Sequence, residues 1–251
     1  MGRLQNRVAL ITGSSSGIGR GVAVAFAREG AKVILNYPTE SEAQNAAAVR
    51  AELEAIGIET LAVQADVSVE HDARALVETA QRNFGRIDIL VNNAGIGNAA
   101  RIEAMEPAQW DRMIAVNLRS VYLCTHFVLP IMYRQDYGRI ISTASQLAYK
   151  GSAGLAHYCA AKAAIIAFTR SLSFEIGASN ITANCVAPGA TQTRMVEGLD
   201  PAMMEAIRSA IPKGRFATVD DIVPAYVFLA SDEARHFVGQ CLSPNGGDVM
   251  L

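Results

Sequence analysis

A doubly wound α/β fold, one parallel sheet of about seven strands (a Rossmann fold) with helices on both faces, is what this 251-residue sequence predicts. Three observations predict it. Short β-branched runs alternate with longer helical patterns along the whole chain, the order that builds βαβ units. The strand runs VALIT, KVILN and IDILVN are apolar almost throughout instead of alternating, as strands buried on both faces are. No repeat, low-complexity tract or Pro/Ser-rich linker divides the chain, so residues 1–251 read as one domain, a length that α/β architectures fill as a single unit.

The elements follow in order. VALIT (8–12) is a strand, a Gly-led helix runs to about Glu29, and KVILN (32–36) is the next strand. A helix near 41–56 ends at Gly57, ETLAVQA (59–65) is a strand, a helix near 69–84 ends at Gly85, and IDILVN (87–92) is a strand. A helical region covers 107–135, RIISTA (139–144) is a strand, 153–177 is a long helix, and NITANCVA (180–187) is a strand. The methionine-bearing stretch 193–214 lacks a strand pattern and reads as the body of a mobile flap near 191–215, its methionines packing beneath it. Thr218 and Asp221 are spaced as a capping box opening a helix to about Ser231, with Pro224 inside it, and FVGQCL (237–242) is the last strand.

Composition sets the surroundings. A hydrophobic fraction of 51% supports a sizeable core, and a net charge of −2 gives no basic surface for nucleic acid or anionic membrane. Cys124, Cys159, Cys185 and Cys241 form no CxxC pair and the four histidines show no metal-ligand spacing, so reduced cysteines and no metal site are expected. VALIT is too short for a signal-peptide core, and Asn6 stands where myristoylation needs Ser or Thr, so the expected location is the cytoplasm.

Between the first strand and first helix stands TGSSSGIGRG, with Gly13, Gly17 and Gly19 spaced GxxxGxG. A phosphate can approach backbone closely only where side chains are missing, and the N–H groups and positive dipole of the following helix then face it. Position after the first strand makes this a dinucleotide site. The second strand ends at Asn36, which offers no carboxylate to a ribose and does not repel a 2′-phosphate; neighbouring Ser14, Ser15, Ser16, Tyr37 and Thr39 supply hydroxyls, and no Arg or Lys is near in sequence. NADP is favoured, with NAD left open.

AHYCAAK places Tyr158 and Lys162 on one helix face, since four residues make about 400° of turn. Alone, such a pair is an ordinary helix surface. With TGSSSGIG, NNAG (92–95), Ser145 and YCAAK in this order, however, the sequence resembles the short-chain dehydrogenase/reductase family from about residue 5 to the C-terminus. The resemblance implies a carbonyl–alcohol oxidoreductase with Tyr158 as general acid/base, Lys162 lowering its pKa and holding the nicotinamide ribose, Ser145 on the substrate oxygen, and Asn117 holding a relay water. It further implies cofactor contacts from Gly13, Ser15, Ser16, Gly17, Ile18 and Gly19, from Asn36, Asp66 and Val67, and from Asn93, Ala94 and Gly95. Pro188, Gly189, Thr191 and Thr193 would line the nicotinamide, and a homotetramer is the family's usual assembly. His157 adjoins Tyr158 but is turned about 100° from it, so structure or an interface is its expected place.

The substrate is expected to be a small alcohol or carbonyl metabolite, with a 3-oxoacyl carrier-protein reductase as the alternative and a non-catalytic dinucleotide-binding scaffold as a remoter one. Where carrier-dependent members of the family use basic docking residues, this chain has Asp136 and Ser179, though Arg134 and Arg139 are close by. An acidic residue there repels an acidic partner.

Overall fold

A computed structural model of the chain describes residues 2–198 and 200–250. Seven parallel strands, β1 (Val8–Ile11), β2 (Lys32–Tyr37), β3 (Thr60–Gln64), β4 (Ile89–Asn92), β5 (Gly138–Thr143), β6 (Ile181–Val186) and β7 (Cys241–Leu242), form one sheet in the order β3-β2-β1-β4-β5-β6-β7. The order reverses between β1 and β4, which pair directly through Ala9 and Ile89. That switch point opens a crevice beyond the carboxyl ends of the strands. The parallel doubly wound sheet is thus the one the sequence predicts.

Helices α1 (Gly17–Arg28), α2 (Ala43–Ala55), α3 (Glu70–Phe84), α4 (Pro107–Ile114), α5 (Ser120–Gln135), α6 (Leu147–Lys150), α7 (Ala156–Ile176), α8 (Arg194–Glu197), α9 (Pro201–Ala210) and α10 (Val219–Ala230) complete the chain. Val22, Phe26, Leu53 and Tyr226, from α1, α2 and α10, pack on one face of the sheet. On the other face, α3, α5 and α7 contribute Leu76, Val128 and Leu172. Thr218 and Asp221 form the capping box at the start of α10. By length and composition the continuous helical stretch Pro107–Gln135 could cross a membrane, but its inward side chains, Leu123, Cys124 and Val128 among them, are core residues of this sheet.

Three elements depart from expectation. The last strand shortens to Cys241–Leu242, because Gly239 turns with φ +70° and Asn184 ties the preceding backbone by accepting from Gln240 N–H and donating to Phe237 O. The stretch expected as the body of a flap is helical on both sides of Leu199, a residue outside those described: α8 precedes it, and α9 follows, capped by Asp200 on the N–H groups of Ala202 and Met203. The region 107–135 is interrupted by a π-helical turn, Ala115–Arg119, that carries Asn117. Such turns in otherwise α-helical runs re-aim a side chain and concentrate at functional sites.

Below the sheet, at its amino end, Arg139 is 1% exposed, donating to Gly138 O, Asn180 O and Asp232 Oδ1 with its guanidinium over the Tyr137 ring. It is an internal fastener and offers nothing to a partner. Arg139→Ala removes a buried cation and its stem together and is expected to lower stability by about 3 kcal/mol in urea unfolding; a loss below about 1 kcal/mol would contradict this placement.

Candidate active site

The crevice is assembled where the glycine loop meets the end of β4. Thr12 Oγ1 accepts from the backbone N–H of Asn93 and of Ala94, both at 3.0 Å, and Asn93 Nδ2 returns bonds to the carbonyls of Thr12 and Gly13 at 3.1 Å. The contact is so close that glycine is obligatory. Gly13 turns with φ +62° and a Cβ there would stand 2.9 Å from Ala94 Cα; one on Gly19 would stand 2.3 Å from Gly13 O. Ser16 is the N-cap of α1, yet its side chain caps none of the helix N–H groups, so the first turn of α1 presents free donors at the crevice.

Asn36 is in this neighbourhood but not as expected. Its side chain is 1% exposed, accepting from Gly13 N–H at 3.2 Å and donating to Ala65 O at 3.0 Å, so it braces the loop instead of facing a ribose. The expected lack of basic residues is also corrected by the fold. Arg194, from α8, donates to Ser16 Oγ and to both oxygens of Glu42, which also accepts from Ser15 Oγ and Asn45 Nδ2. Ser15, Ser16, Gly17, Arg20, Asn45 and Arg194 line a cleft of about 280 Å³. The Arg194 guanidinium holds the Glu42 carboxyl down to about 2. No motif signals Arg194 in the sequence; it is brought in from 178 residues beyond Ser16.

Asp66 accepts from Ser68 N–H, Ser68 O–H and Arg112, which together hold its carboxyl below the usual range although burial works the other way; Val67 beside it is buried. On the far side of the crevice, Gln146 N–H donates to Pro188 O and Thr191 Oγ1 donates to Gly189 O. Thr193 lies over the loop, its Cγ2 3.5 Å from where a Cβ of Gly17 would be.

Ser145, Tyr158, Lys162 and Asn117 come together between these walls. Ser145 follows β5, and its hydroxyl accepts from Leu147 N–H at 3.2 Å on the side from which it eases ionisation of the buried Tyr158 phenol. Lys162 is 3% exposed and donates from Nζ to Thr143 O at 2.8 Å. Asn117 Nδ2 donates to Ile96 O and Met113 O, while Oδ1 is buried without a partner among the described residues. Gly95 stands between them: a Cβ there would be 2.7 Å from Asn117 Oδ1 and 3.5 Å from Lys162 Nζ. His157 is wholly buried in the first turn of α7, with neither ring nitrogen hydrogen-bonded among the described residues.

The electrostatics correct the expected lowering of the Tyr158 pKa by Lys162. Burial raises the Tyr158 phenol, partly offset by the Ser145 hydroxyl, and Lys162 lies with Nζ 5.6 Å from the ring centroid. Burial also pushes Lys162 down to about 8. A phenol raised in this way stays protonated at neutral pH, the form that donates a proton.

Residues 13–248 match the family described as enoyl-(acyl carrier protein) reductase. A 3-oxoacyl-[acyl-carrier-protein] reductase of Synechocystis is 41% identical over the full length of both chains. The (2S)-[(R)-hydroxy(phenyl)methyl]succinyl-CoA dehydrogenase subunit of Thauera aromatica is 40% identical over 97% of each. A short-chain dehydrogenase of Burkholderia cenocepacia, solved in complex with NADP, superposes with a TM-score of 0.91 at 35% identity, covering 98% of this chain and 99% of the other. The chain belongs to the short-chain dehydrogenase/reductase family. As a short-chain dehydrogenase/reductase it is an oxidoreductase, and its polar crevice at the switch point stands where this fold class binds ligands.

Lys162 carries a measurable signature. Its folded value of about 8 lies below the ordinary 10.5, so between those pH values the unfolded chain holds the more protons and this residue's contribution to stability rises with pH. The Tm of Lys162→Met relative to wild type is therefore expected to fall as pH rises from about 8 to about 10.5 at fixed ionic strength. A difference that stays constant across that window would place the ammonium in water.

Proposed function

We propose that the protein is an NADP-dependent oxidoreductase interconverting a secondary alcohol and a ketone on a small free metabolite. The observation that carries this reading is the convergence of Ser145, Tyr158, Lys162 and Asn117 beside a glycine loop whose helix N–H groups are free. The crevice fits a dinucleotide: Gly13 and Gly19 leave no side chain over the loop, and α1 offers its first-turn donors to a diphosphate. The cofactor, when bound, supplies or accepts the hydride at the carbonyl carbon. Everything else falls to the chain. Tyr158 donates its phenolic proton to the oxygen as negative charge develops there, and the Ser145 hydroxyl binds that same oxygen. Lys162 would orient the ribose, and a water held by Asn117, whose Oδ1 has no partner among the described residues, would return a proton toward Tyr158 by way of Lys162.

On the adenosine side, Gly13, Ser15, Ser16, Gly17, Ile18 and Gly19 form the loop, with Asp66 and Val67 at the adenine and Asn93, Ala94 and Gly95 beneath. Pro188, Gly189, Thr191 and Thr193 line the nicotinamide side, and residues 191–215 act as the substrate flap. NADP over NAD is supported by Arg20 and Arg194, two guanidiniums in the cleft beside Ser15 and Ser16 that suit a 2′-phosphate.

The relatives keep a second reading open, reduction of a 3-oxoacyl group on a carrier protein. Against it stand the exposed Asp136 at the expected docking point and the internal commitment of Arg139, leaving Arg134 as the exposed cation of that stretch. Phe174, 92% exposed on α7, and the half-exposed Tyr122 and Tyr133 on α5 support a homotetramer assembled through these helices, in the cytoplasm.

Nicotinamide absorbance across small ketones, alcohols and an acetoacetyl carrier protein tests the reading. Small ketones are expected to be reduced with NADPH, and Tyr158→Phe to lower kcat by about 10³-fold while cofactor binding persists. Arg20→Ala with Arg194→Ala is expected to weaken NADPH binding by about 10-fold or more and leave NADH binding unchanged. Turnover intact in Tyr158→Phe would overturn the mechanism; carrier-protein substrate outpacing every small ketone would install the second reading.

A further inference from the structure

Beside Ser145 stands a polar group that the reaction described above does not use. Gln146 is 4% exposed, and its backbone N–H is tied to Pro188 O. Its side-chain Nε2 donates to Asp248 Oδ2 at 2.6 Å, and the Asp248 carboxylate, itself buried, also takes two bonds from Lys150 Nζ at 2.7 and 2.6 Å. An ionised carboxylate only accepts hydrogen bonds, so the amide nitrogen has to face it and the amide cannot turn over. Its oxygen is thereby aimed the other way. That oxygen, Oε1, is buried with no hydrogen-bond partner among the described residues, and a Cβ on Gly189 would lie 3.1 Å from it.

The location decides what this acceptor is for. Gly189 belongs to the segment assigned above to the nicotinamide, and Ser145, one residue back, carries the hydroxyl that eases ionisation of the buried Tyr158 phenol. An acceptor lacking a donor among the described residues therefore lies against Gly189, on the residue next in the chain to the serine that would bind the carbonyl oxygen. A buried unpaired acceptor is costly, and a ligand that brings it a donor relieves the cost while one that does not is rejected.

We propose that Gln146 determines specificity by accepting a hydrogen bond from a hydroxyl on the carbon next to the reacting carbonyl, so that the substrates are hydroxy ketones and the corresponding vicinal diols. The inference rests on the carbonyl-reductase reading and narrows it. A simple ketone carries only C–H bonds at that carbon, and so does a 3-oxoacyl thioester between its two carbonyls; either would leave Oε1 unpaired. The Lys150–Asp248 pair acts through Gln146 as a positioning device that fixes which end of the amide faces the substrate.

The test compares matched ketones that differ only in that hydroxyl, butan-2-one with 3-hydroxybutan-2-one and cyclohexanone with 2-hydroxycyclohexanone, by kcat/KM with NADPH. Wild type is expected to prefer the hydroxy ketone by about 30-fold or more. Gln146→Met, which keeps the shape and removes the acceptor, is expected to abolish the preference by slowing the hydroxy ketone alone, the simple ketone staying within about two-fold. Asp248→Asn, whose amide can donate to Oε1 and let Gln146 turn over, is expected to reduce the preference with Gln146 still present, and it decides the matter should the Met variant not fold. Equal wild-type rates on both members of each pair, or a preference retained in Gln146→Met, overturn the inference and leave the carbonyl-reductase reading standing. A lack of NADPH oxidation with every member overturns both.

Discussion

The contact on which the rest of this structure depends is the laying of the glycine loop directly on the end of β4. Thr12, Gly13, Asn93 and Ala94 are joined there by four hydrogen bonds, and no side chain larger than hydrogen fits at Gly13 or Gly19. That contact exists because the strand order reverses between β1 and β4, so the two strand ends part and a crevice opens between their loops. It aims the first turn of α1 into the crevice, and the next residue of the NNAG run, Gly95, brings the backbone up to Asn117 and Lys162. Asn36, Asn93 and Thr12 spend their polar atoms holding this junction together.

Several buried polar groups around that junction lack partners, as do Gln81 Oε1, Arg139 Nε and Thr182 Oγ1 away from it, among the described residues. Among the described residues, Lys162 is buried with its hydrogen bond to Thr143 O, and Asn117 Oδ1, Gln146 Oε1 and both His157 ring nitrogens are buried without partners. Elsewhere the core is filled with Ile, Leu, Val and Ala on both faces of the sheet. Unsatisfied polar groups are rare in folded proteins because each is destabilising, and a cluster of them marks where a structure is built for a ligand more than for its own stability. The π-helical turn at Ala115–Arg119 belongs to the same pattern, since it sets Asn117 opposite Gly95.

Much of this was legible in the sequence, for physical reasons. Strands buried on both faces leave continuous apolar runs, and helices ended by Gly57 and Gly85 leave punctuation, so the order of elements could be read almost residue by residue. The four motif groups could be read because their spacing is local: Ser145 closes one strand, and Tyr158 and Lys162 are one helical turn apart. Arg194 at Ser16, Asp248 at Gln146 and Asp232 at Arg139 could not, since each is a contact between residues about 90 to 180 positions apart with no periodic signature. Asn36 was misjudged for a related reason. Its position at the end of β2 was correct, but a side chain at a strand end can turn either to the ligand or to the loop, and only the fold shows that Gly13 N–H claims it.

The central claim is that this crevice moves a hydride to a carbonyl carbon and a proton from Tyr158 to its oxygen. Following deuterium from NADPH labelled at nicotinamide C4 into the alcohol product tests it most directly. The account predicts one deuterium on the carbinol carbon, from one face of the nicotinamide only, with the hydroxyl proton drawn from solvent. An alcohol formed without the label at that carbon, or label delivered equally from both faces, would contradict it.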